Sequence, residues 1–201
     1  MSTDIDRDTV AARLRDFPRL AADRPDLKHA AVAVCVTEHA DVPSLLITRR
    51  APRMRAHAGQ LALPGGRLDP RESPVEGALR ELKEELGLEL APGDTLGLLD
   101  DYVTRSGYVM TPVVCWAVGA GDVAPAEAEV AEVHHVPLRD LDVQPRFLTI
   151  PESDAPVIQL PLFDRYLHAP TAAIVYQFCQ VACRGRSTRV AHLEQPVFAW
   201  R

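Results

Sequence analysis

Three glutamates, Glu81, Glu84 and Glu85, are spaced so that a single helix would bring their carboxylates together. At about 100° of rotation per residue, they share an arc of roughly 100° on one side of that helix. Carboxylates this close repel one another unless a cation lies between them, and oxygen ligands favour Mg²⁺ or Mn²⁺ over zinc. The spacing therefore predicts a site for a hard divalent cation. The alternative is a solvated acidic face, which is common on Glu-rich amphipathic helices.

The helix that must carry these glutamates has clear start and stop signals. Ser73 is placed as its N-cap, Pro74 suits the first helical position, and Glu76 would complete a capping box. Gly87 is placed to end the helix in a left-handed conformation. Between these signals, apolar residues recur at helical spacing and predict one buried stripe: Val75, Ala78, Leu79, Leu82 and Leu86.

The glutamates belong to a longer pattern, G-x5-E-x7-R-E-U-x-E-E-x-G-U, in which U is an aliphatic residue. Every fixed position is filled, by Gly66, Glu72, Arg80, Glu81, Leu82, Glu84, Glu85, Gly87 and Leu88. The stretch from Gly65 to Leu88 thus resembles the Nudix box, the signature of hydrolases that cleave a nucleoside diphosphate linked to another moiety. The resemblance implies an α/β protein with the Nudix fold, a mixed β-sheet sandwiched between α-helices.

The resemblance also implies roles for the box residues. The ligands implied for one or more Mg²⁺ or Mn²⁺ ions are Glu81, Glu84, Glu85 and the Gly65 carbonyl. Arg80 would orient Glu81 through a charge-assisted contact, and Glu72 would support the loop or bridge to a metal through water. The implied reaction is substitution by water at a diphosphate phosphorus, because such cations neutralise diphosphate charge and make water easier to deprotonate.

A further carboxylate is implied in residues 119–133, a loop rich in Ala, Glu and Pro. The family's loop pattern, a Glu just before Val-Ala-Glu-Val, places this carboxylate at Glu129, while the neighbouring Glu127 and Glu132 stay open. Either Glu129 or Glu81 would deprotonate the attacking water, and the resemblance does not choose between them. The alternative for Glu129 is an ordinary surface residue.

Arginines are concentrated just before the box, in a chain whose formal net charge is -6. Arginine offers bidentate hydrogen bonding to phosphate, so we predict that this segment binds the substrate. The predicted substrate-binding residues are Arg49, Arg53, Arg55, His57 and Gly66, and Arg50 lies in the same cluster. For any one of these arginines, the alternative is a solvated loop.

The same segment narrows the resemblance to coenzyme A pyrophosphatases, which pair an LLTxR-type strand with an HxGQ-type approach to PGG. The residues that carry this resemblance are Leu45, Leu46, Thr48, Arg49, His57, Gly59, Gln60, Pro64, Gly65 and Gly66. Two departures are visible. Leu63 stands where that family usually has Phe, and the stretch from Leu167 to Ala172 lacks the Trp-Gly of the family's I-W-G-x-T-A motif.

The function implied is metal-dependent hydrolysis of coenzyme A or acyl-coenzyme A to 3′,5′-ADP and 4′-phosphopantetheine or its acyl form. The arginine-rich segment would bind the 3′-phosphate, which ADP-ribose and NADH lack. One alternative is a Nudix pyrophosphatase for ADP-ribose, NADH or nucleoside triphosphates. An alternative of another class is a non-catalytic module that binds a nucleotide, although such modules commonly lose box carboxylates and this chain keeps them. The expected partner is a small-molecule nucleotide, and the family suggests a homodimer.

The composition of the 201-residue chain, 47% hydrophobic and 25% charged, is that of an ordinary globular protein. The negative net charge argues against a general nucleic-acid binder, and no apolar run approaches the roughly 20 residues that span a bilayer. The charged N-terminus has no signal-peptide core, and the four cysteines form no C-x-x-C pair, so we predict a reduced, cytoplasmic protein. We expect one Nudix domain over residues 1–201, with a helical extension over 1–28.

The remaining elements are predicted from apolar periodicity and turn residues. We expect a helix over residues 7–21, strands over 30–36, 43–49, 60–63 and 110–118, a helix capped at Thr171, and a closing strand over 192–200.

Overall fold

The computed structural model describes residues 5–53 and 58–200. Its helices are α1 (Arg7–Asp16), α2 (Pro74–Leu86) and α3 (Thr171–Phe178), the last continued by a π-helical turn at Cys179–Cys183. Its first strands are β1 (Lys28–His39), β2 (Val42–Arg50), β3 (Leu61–Ala62), β4 (Gly65–Arg67), β5 (Thr95–Leu98) and β6 (Tyr102–Val103). The strands that follow are β7 (Tyr108–Trp116), β8 (Val130–Pro137), β9 (Arg146–Ile150), β10 (Ser153–Leu162) and β11 (Arg165–His168).

Eight of the strands in the described ranges form one sheet, whose main path runs β3-β2-β1-β7-β5. Strand β1 pairs antiparallel with β2 but parallel with β7, so the sheet is mixed, as predicted. Off the main path, β4 pairs with β1, β6 with β7 and β8 with β2. Strands β11, β10 and β9 form a second, antiparallel sheet.

Strand β1 is buried on both faces, which explains its unbroken apolar sequence. Val32, Val34 and Val36 belong to one core with residues of α1 and α3, including Leu14 and Phe178. The alternating residues Ala31, Ala33 and Cys35 belong to a second core with Leu82 and Leu86 of α2. Helices therefore cover both faces of the sheet, and the predicted sandwich is confirmed.

Both ends of α2 have the predicted caps. The Glu76 N–H donates to Ser73 Oγ at 3.3 Å, and the Ser73 N–H donates to the Glu76 carboxylate at 2.8 Å. Gly87 ends the helix in the left-handed region, with φ of 67°. These two caps define where α2 begins and where it ends.

The first helix is shorter than predicted. Helix α1 ends at Asp16, and Phe17 is extended with ψ of 116°. Proline disfavours helical conformation in the residue before it, so Pro18 explains this end. Phe17 is still buried in the core with Val10 and Leu14, as its spacing indicated.

The C-terminal part of the chain differs from the prediction in two places. Thr171 is the first residue of α3 rather than its cap, and no side chain caps that helix. The segment 192–200 is not a strand: it contains a short 3-10 helix, Val197–Ala199, and an isolated bridge from Val157 to Glu194. Tyr102 Oη donates to the Leu193 carbonyl at 2.8 Å, so a side-chain contact helps to hold this segment.

The structure also describes the cysteines and the lengths of the helices. All four cysteines, Cys35, Cys115, Cys179 and Cys183, are buried free thiols. Among the residues that the structure describes, no helix has the length and apolar character needed to cross a membrane.

The cap of α2 gives a stability test. Gly87→Ala should lower the free energy of unfolding by about 1–2 kcal/mol, because an L-residue is disfavoured in the left-handed region. The added Cβ would also lie 3.1 Å from the Ala124 Cβ. Gly93→Ala is the matched control, since its Cβ would meet nothing within 4 Å. Urea denaturation of both variants measures the difference, and equal stabilities would contradict this account of the cap.

Candidate active site

Two glycines of β4 lie too close to neighbouring elements to carry a side chain, Gly65 to β1 and Gly66 to α2. Gly65 and Gly66 pair with Val32 and Ala31 of β1. A Cβ at Gly65 would lie 2.8 Å from the Val32 Cα and would overlap the Ala31 carbonyl oxygen. A Cβ at Gly66 would overlap the carboxylate of Glu81. Gly66 therefore lets α2 place Glu81 directly against the backbone of β4.

Arg80 joins the acidic residues of the box. Its Nε donates to Glu72 Oε1 at 2.9 Å, and its Nη1 donates to Glu81 Oε1 at 2.7 Å and to Glu84 Oε2 at 2.9 Å. Its Nη2 donates to the Arg67 carbonyl of β4 at 3.1 Å. The guanidinium beside it holds the pKa of Glu72 below its usual value. Arg80 thus contacts Glu72, Glu81 and Glu84 and joins them to β4.

Glu85 is the buried carboxylate of the cluster, with only 4% of its surface exposed. Burial, followed by repulsion from Glu81 and then from Glu129, raises its pKa to about 7. Arg50 and the backbone of Gly65 oppose this shift. An acidic side chain in such a position is a mark of functional sites, because only a bound partner or a proton offsets the cost of its charge.

Glu81 is affected by the same surroundings. Burial raises its pKa, Arg80 opposes the increase, and the charges of Glu84 and Glu129 add to it. Glu84 itself is more exposed, with 55% of its side chain accessible, so it forms the outer edge of the cluster. The predicted glutamates therefore differ in solvent exposure, from the buried Glu85 to the exposed Glu84.

The loop before β8 brings Glu129 to this cluster. The Ala126 N–H donates to the Glu85 carbonyl and the Ala124 N–H to the Leu86 carbonyl, both at 2.8 Å. These bonds fix the loop on the C-terminal end of α2, where helix carbonyls lack intrahelical partners. Glu129 follows as an exposed residue whose charge acts on Glu81 and Glu85.

The predicted arginines are separated by the sheet. Arg49 and Arg50 are consecutive in β2, so their side chains project to opposite faces. Arg49 pairs with Glu132 of β8, and Arg53 donates to the Glu127 carbonyl at 3.1 Å. The predicted ligands Arg55 and His57 lie outside the described residues.

Arg50 is the residue that sequence reasoning did not single out. It is a cation whose charge opposes the shift of Glu85, and its Nε is buried without a hydrogen-bond partner. Strand alternation separates it from Arg49, but the face it takes depends on the irregular pairing of β2 with β8 at Arg49 and Arg50. That irregularity leaves no signal in the sequence.

A cavity of about 360 Å³ is lined by described residues that include none of the glutamates. Arg50 and Gly65, which both act on Glu85, are also part of its lining. The rest of the lining comes from Val32, residues 59–63, Met110, residues 165–166, residues 168–171, Ile174, Phe198 and Ala199. The turn of Thr104, Ser106 and Gly107 is a hairpin turn and is not part of this lining.

The donor chemistry of the cluster suits a hard cation. Glu81, Glu85 and Glu129 supply only carboxylate oxygens, and the charges of Glu81 and Glu129 repel that of Glu85. The backbone of Gly65 also lies close to Glu85. Within the described residues, no three Asp, Glu, His or Cys side chains are arranged as a ready-made metal site.

A family model described as the NUDIX domain matches residues 27–160, which is more than half of the chain. The chain belongs to the Nudix family. The matched region contains the Gly-Gly pair of β4, the whole of α2 and the loop that carries Glu129. The glutamate cluster is thus part of the Nudix domain, and Nudix hydrolases generally use divalent metal ions.

Proteins named Nudix hydrolase NudL are similar to this chain. The one from Pectobacterium atrosepticum is 41% identical over 112 residues, which are 55% of this chain and 58% of the relative. The one from Cronobacter sakazakii is 35% identical over 130 residues, which are 61% of this chain and 64% of the relative. Each match spans less than two thirds of the relative's length.

Solved structures show the same fold. The MutT protein of Methanosarcina mazei Go1 superposes with a TM-score of 0.53 at 22% identity, covering 81% of this chain and 96% of the other. A NUDIX hydrolase from Alicyclobacillus acidocaldarius gives 0.53 at 21% identity, covering 85% and 98%. At such identities the similarity concerns the fold alone, and the predicted Nudix fold is confirmed.

The burial of Glu85 predicts how stability depends on pH in the presence of a chelator. Its pKa is about 7 in the folded protein against 4.5 ordinarily, so the folded state holds a proton that the unfolded state has lost. Its contribution is therefore complete below pH 4.5 and falls by up to about 3 kcal/mol as the pH rises to 7 and above.

Urea denaturation of wild type and Glu85→Gln at pH 5 and pH 7.5 measures this contribution. The free energy of unfolding should fall more steeply with pH in the wild type, because glutamine does not titrate. Parallel pH dependence in the two proteins would show that Glu85 titrates normally.

Proposed function

We propose that this protein hydrolyses the diphosphate of a nucleoside diphosphate-linked substrate, and that the substrate is coenzyme A or acyl-coenzyme A. The products are 3′,5′-ADP and 4′-phosphopantetheine or its acyl form. The observation that carries the proposal is the buried Glu85, whose pKa of about 7 reflects burial and the charges of Glu81 and Glu129. Its neighbours Arg50 and Gly65 line a cavity of ligand size.

Glu81, Glu84, Glu85 and the Gly65 carbonyl would hold the divalent cation. A Mg²⁺ or Mn²⁺ ion bound there would supply positive charge for the diphosphate and make water easier to deprotonate. Arg80 keeps Glu81 and Glu84 oriented through its Nη1 bonds and ties them to β4 through the Arg67 carbonyl. Gly66 leaves the space into which Glu81 fits.

Glu129 and Glu81 are the candidates for the base that takes a proton from water. Burial raises the pKa of Glu81, and the hydrogen bond that its Oε1 accepts from Arg80 opposes that rise without reversing it. Glu129 is exposed, and its loop is held on the end of α2. Both carboxylates therefore stay candidates for the base, and Glu81 is also a proposed metal ligand.

The coenzyme A assignment is supported by the signature residues of β2 and of the segment that enters β4. The 3′-phosphate is assigned to Arg49 and Arg53, with Arg55 and His57 of the same segment. Arg49 has a carboxylate partner in Glu132, so a phosphate would compete with that ion pair. Arg50 faces the glutamates instead, where it would contact the diphosphate.

Hydrolysis of ADP-ribose, NADH or a nucleoside triphosphate is the second candidate, because the same cluster would serve any diphosphate. A non-catalytic nucleotide-binding module fits less well, since the carboxylates are all present and Arg80 orients them. A homodimer, a cytoplasmic location and a single domain over residues 1–201 stay predictions.

A substrate panel tests the proposal. Purified protein with Mg²⁺ or Mn²⁺ should release 3′,5′-ADP from coenzyme A faster than it cleaves ADP-ribose, NADH or nucleoside triphosphates, as measured by mass spectrometry. Glu85→Gln should lower kcat by at least about 100-fold, because it removes a ligand charge from the reacting centre. Glu89→Gln is the matched control, since Glu89 is exposed and pairs with Lys83 outside the cluster.

Faster cleavage of ADP-ribose or NADH would keep the chemistry and replace the substrate. Near-wild-type turnover in folded Glu85→Gln would remove the glutamate cluster from the mechanism.

The two sets of arginines should be separable by kinetics. Arg49→Gln and Arg53→Gln should each reduce the preference for coenzyme A over dephospho-coenzyme A by about 10-fold, the value of one charged hydrogen bond. Arg50→Gln should lower kcat/KM for both substrates alike, because its charge lies at Glu85 and not at the 3′-phosphate. An unchanged preference in the first two variants would move the 3′-phosphate elsewhere.

A further inference from the structure

Helix α3 begins without a capping side chain. Its N-cap residue is Pro170, and the first bond of the helix runs from the Ile174 N–H to the Pro170 carbonyl at 3.1 Å. The N–H groups of Thr171, Ala172 and Ala173 precede that bond, so the helix itself supplies no acceptor for them. Within the described part of the chain, no other backbone carbonyl or side chain accepts from them either.

The donors at the start of α3 belong to buried residues. Ala172 and Ala173 are 0% exposed, and Thr171 is 8% exposed. The Thr171 hydroxyl likewise has no hydrogen-bond partner among the residues that the structure describes. Buried donors are nearly always paired with protein, with water or with a ligand, because an unpaired one is unfavourable. The start of α3 therefore needs an acceptor from outside the described chain.

The start of α3 lies on the cavity of about 360 Å³. Ala169, Pro170, Thr171 and Ile174 are all part of the lining of this cavity. The N–H groups of the first turn of a helix point out of its N-terminal end, where the helix dipole is positive. The unpaired donors of α3 are therefore directed to the space that these residues line.

The charge of the lining favours an anion over water as the acceptor. The described lining residues include two arginines, Arg50 and Arg165, and no Asp or Glu, although the chain as a whole has a formal net charge of -6. The Arg50 Nε is buried and has no hydrogen-bond partner in the part of the chain that the structure describes. Guanidinium groups and helix N-termini both suit phosphate, since each presents several N–H donors to its oxygens.

We infer that the N-terminus of α3, with the Thr171 hydroxyl and Arg50, binds a phosphoryl group of the substrate. The inference rests on the proposed function, and it adds a contribution from α3, which lies outside the region 27–160 that matches the family model. A coenzyme A substrate has two sources of such a group, its diphosphate and its 3′-phosphate. Arg50 and Gly65 line the cavity and also act on Glu85, so the diphosphate is the source that this site favours.

Equilibrium binding in EDTA tests the inference without metal and without catalysis. Isothermal titration calorimetry compares 5′-AMP, which carries the phosphoryl group of the diphosphate, with adenosine 3′-monophosphate and with adenosine. The wild type should bind 5′-AMP at least about 10-fold more tightly than adenosine, because hydrogen bonds to a charged group contribute at least that factor. The adenosine 3′-monophosphate arm shows whether the 3′-phosphate uses the same site.

Two variants locate the phosphoryl group at α3. Thr171→Asp should lower the affinity for 5′-AMP by at least about 10-fold, because a carboxylate in the first turn repels a phosphoryl group there. Adenosine binding should not change. Thr171→Val removes only the hydroxyl and should lower the affinity for 5′-AMP by about 3- to 10-fold. It keeps the shape of the side chain, so it tests the site even where Thr171→Asp does not fold. Thr149→Asp is the matched control for added charge, since Thr149 is exposed in β9 and lies outside the lining.

The outcomes separate the inference from the proposed function. Unchanged affinity for both phosphate esters in the Thr171 variants would overturn the phosphoryl site, as would failure of the wild type to bind either ester. An equal loss on adenosine would also overturn it, since the change would then not concern the phosphoryl group. A loss confined to adenosine 3′-monophosphate would support the site and assign it to the 3′-phosphate. Cleavage of ADP-ribose without cleavage of coenzyme A would overturn the proposed substrate, whereas a loss on 5′-AMP would still support the site, because ADP-ribose carries the same phosphoryl group.

Discussion

The site depends on the close contact between α2 and β4, which Gly66 permits. Glu81 lies where a Cβ of residue 66 would be, and Glu85 is buried against the backbone of Gly65. Burial of carboxylates is unfavourable, so this contact persists only because other interactions offset it. The apolar stripe of α2, packed against β1, and the bonds of Arg80 provide that compensation.

Arg80 divides the glutamates into two groups with different electrostatics. Glu72, Glu81 and Glu84 accept its hydrogen bonds, whereas Glu85 has no such partner and its pKa rises to about 7. A cation bound near Glu85 would neutralise a carboxylate whose burial is unfavourable. Arg80 thus contacts three of the glutamates, whereas Glu85 is buried without a hydrogen bond from Arg80.

Neighbouring arginines of β2 lie on opposite faces of the sheet. Because side chains alternate in β2, Arg50 projects toward the glutamates, while Arg49 pairs with Glu132 on the other face. The cavity is lined by residues of β3 and β4 and by Phe198 and Ala199 of the C-terminal segment. Arg105 contacts the same segment at Glu194. The arginines and the cavity lining thus come from parts of the chain that are far apart in sequence, whereas most of the clustered glutamates come from one helix.

The sequence by itself predicted the centre formed by the glutamates of α2, because the signals for this part of the structure are local. The caps at Ser73 and Gly87, the helical spacing of the glutamates and the glycine pair all act within one helix and one adjoining strand, and the structure has them as predicted. The unbroken apolar run of β1 likewise indicated a buried strand.

Only the tertiary structure decided what surrounds that centre. The burial of Glu85, the face taken by Arg50, the end of α1 and the course of residues 192–200 depend on contacts between distant segments. Such contacts are selected by packing and by side-chain hydrogen bonds, as between Arg105 and Glu194, and they leave no periodic pattern in the sequence.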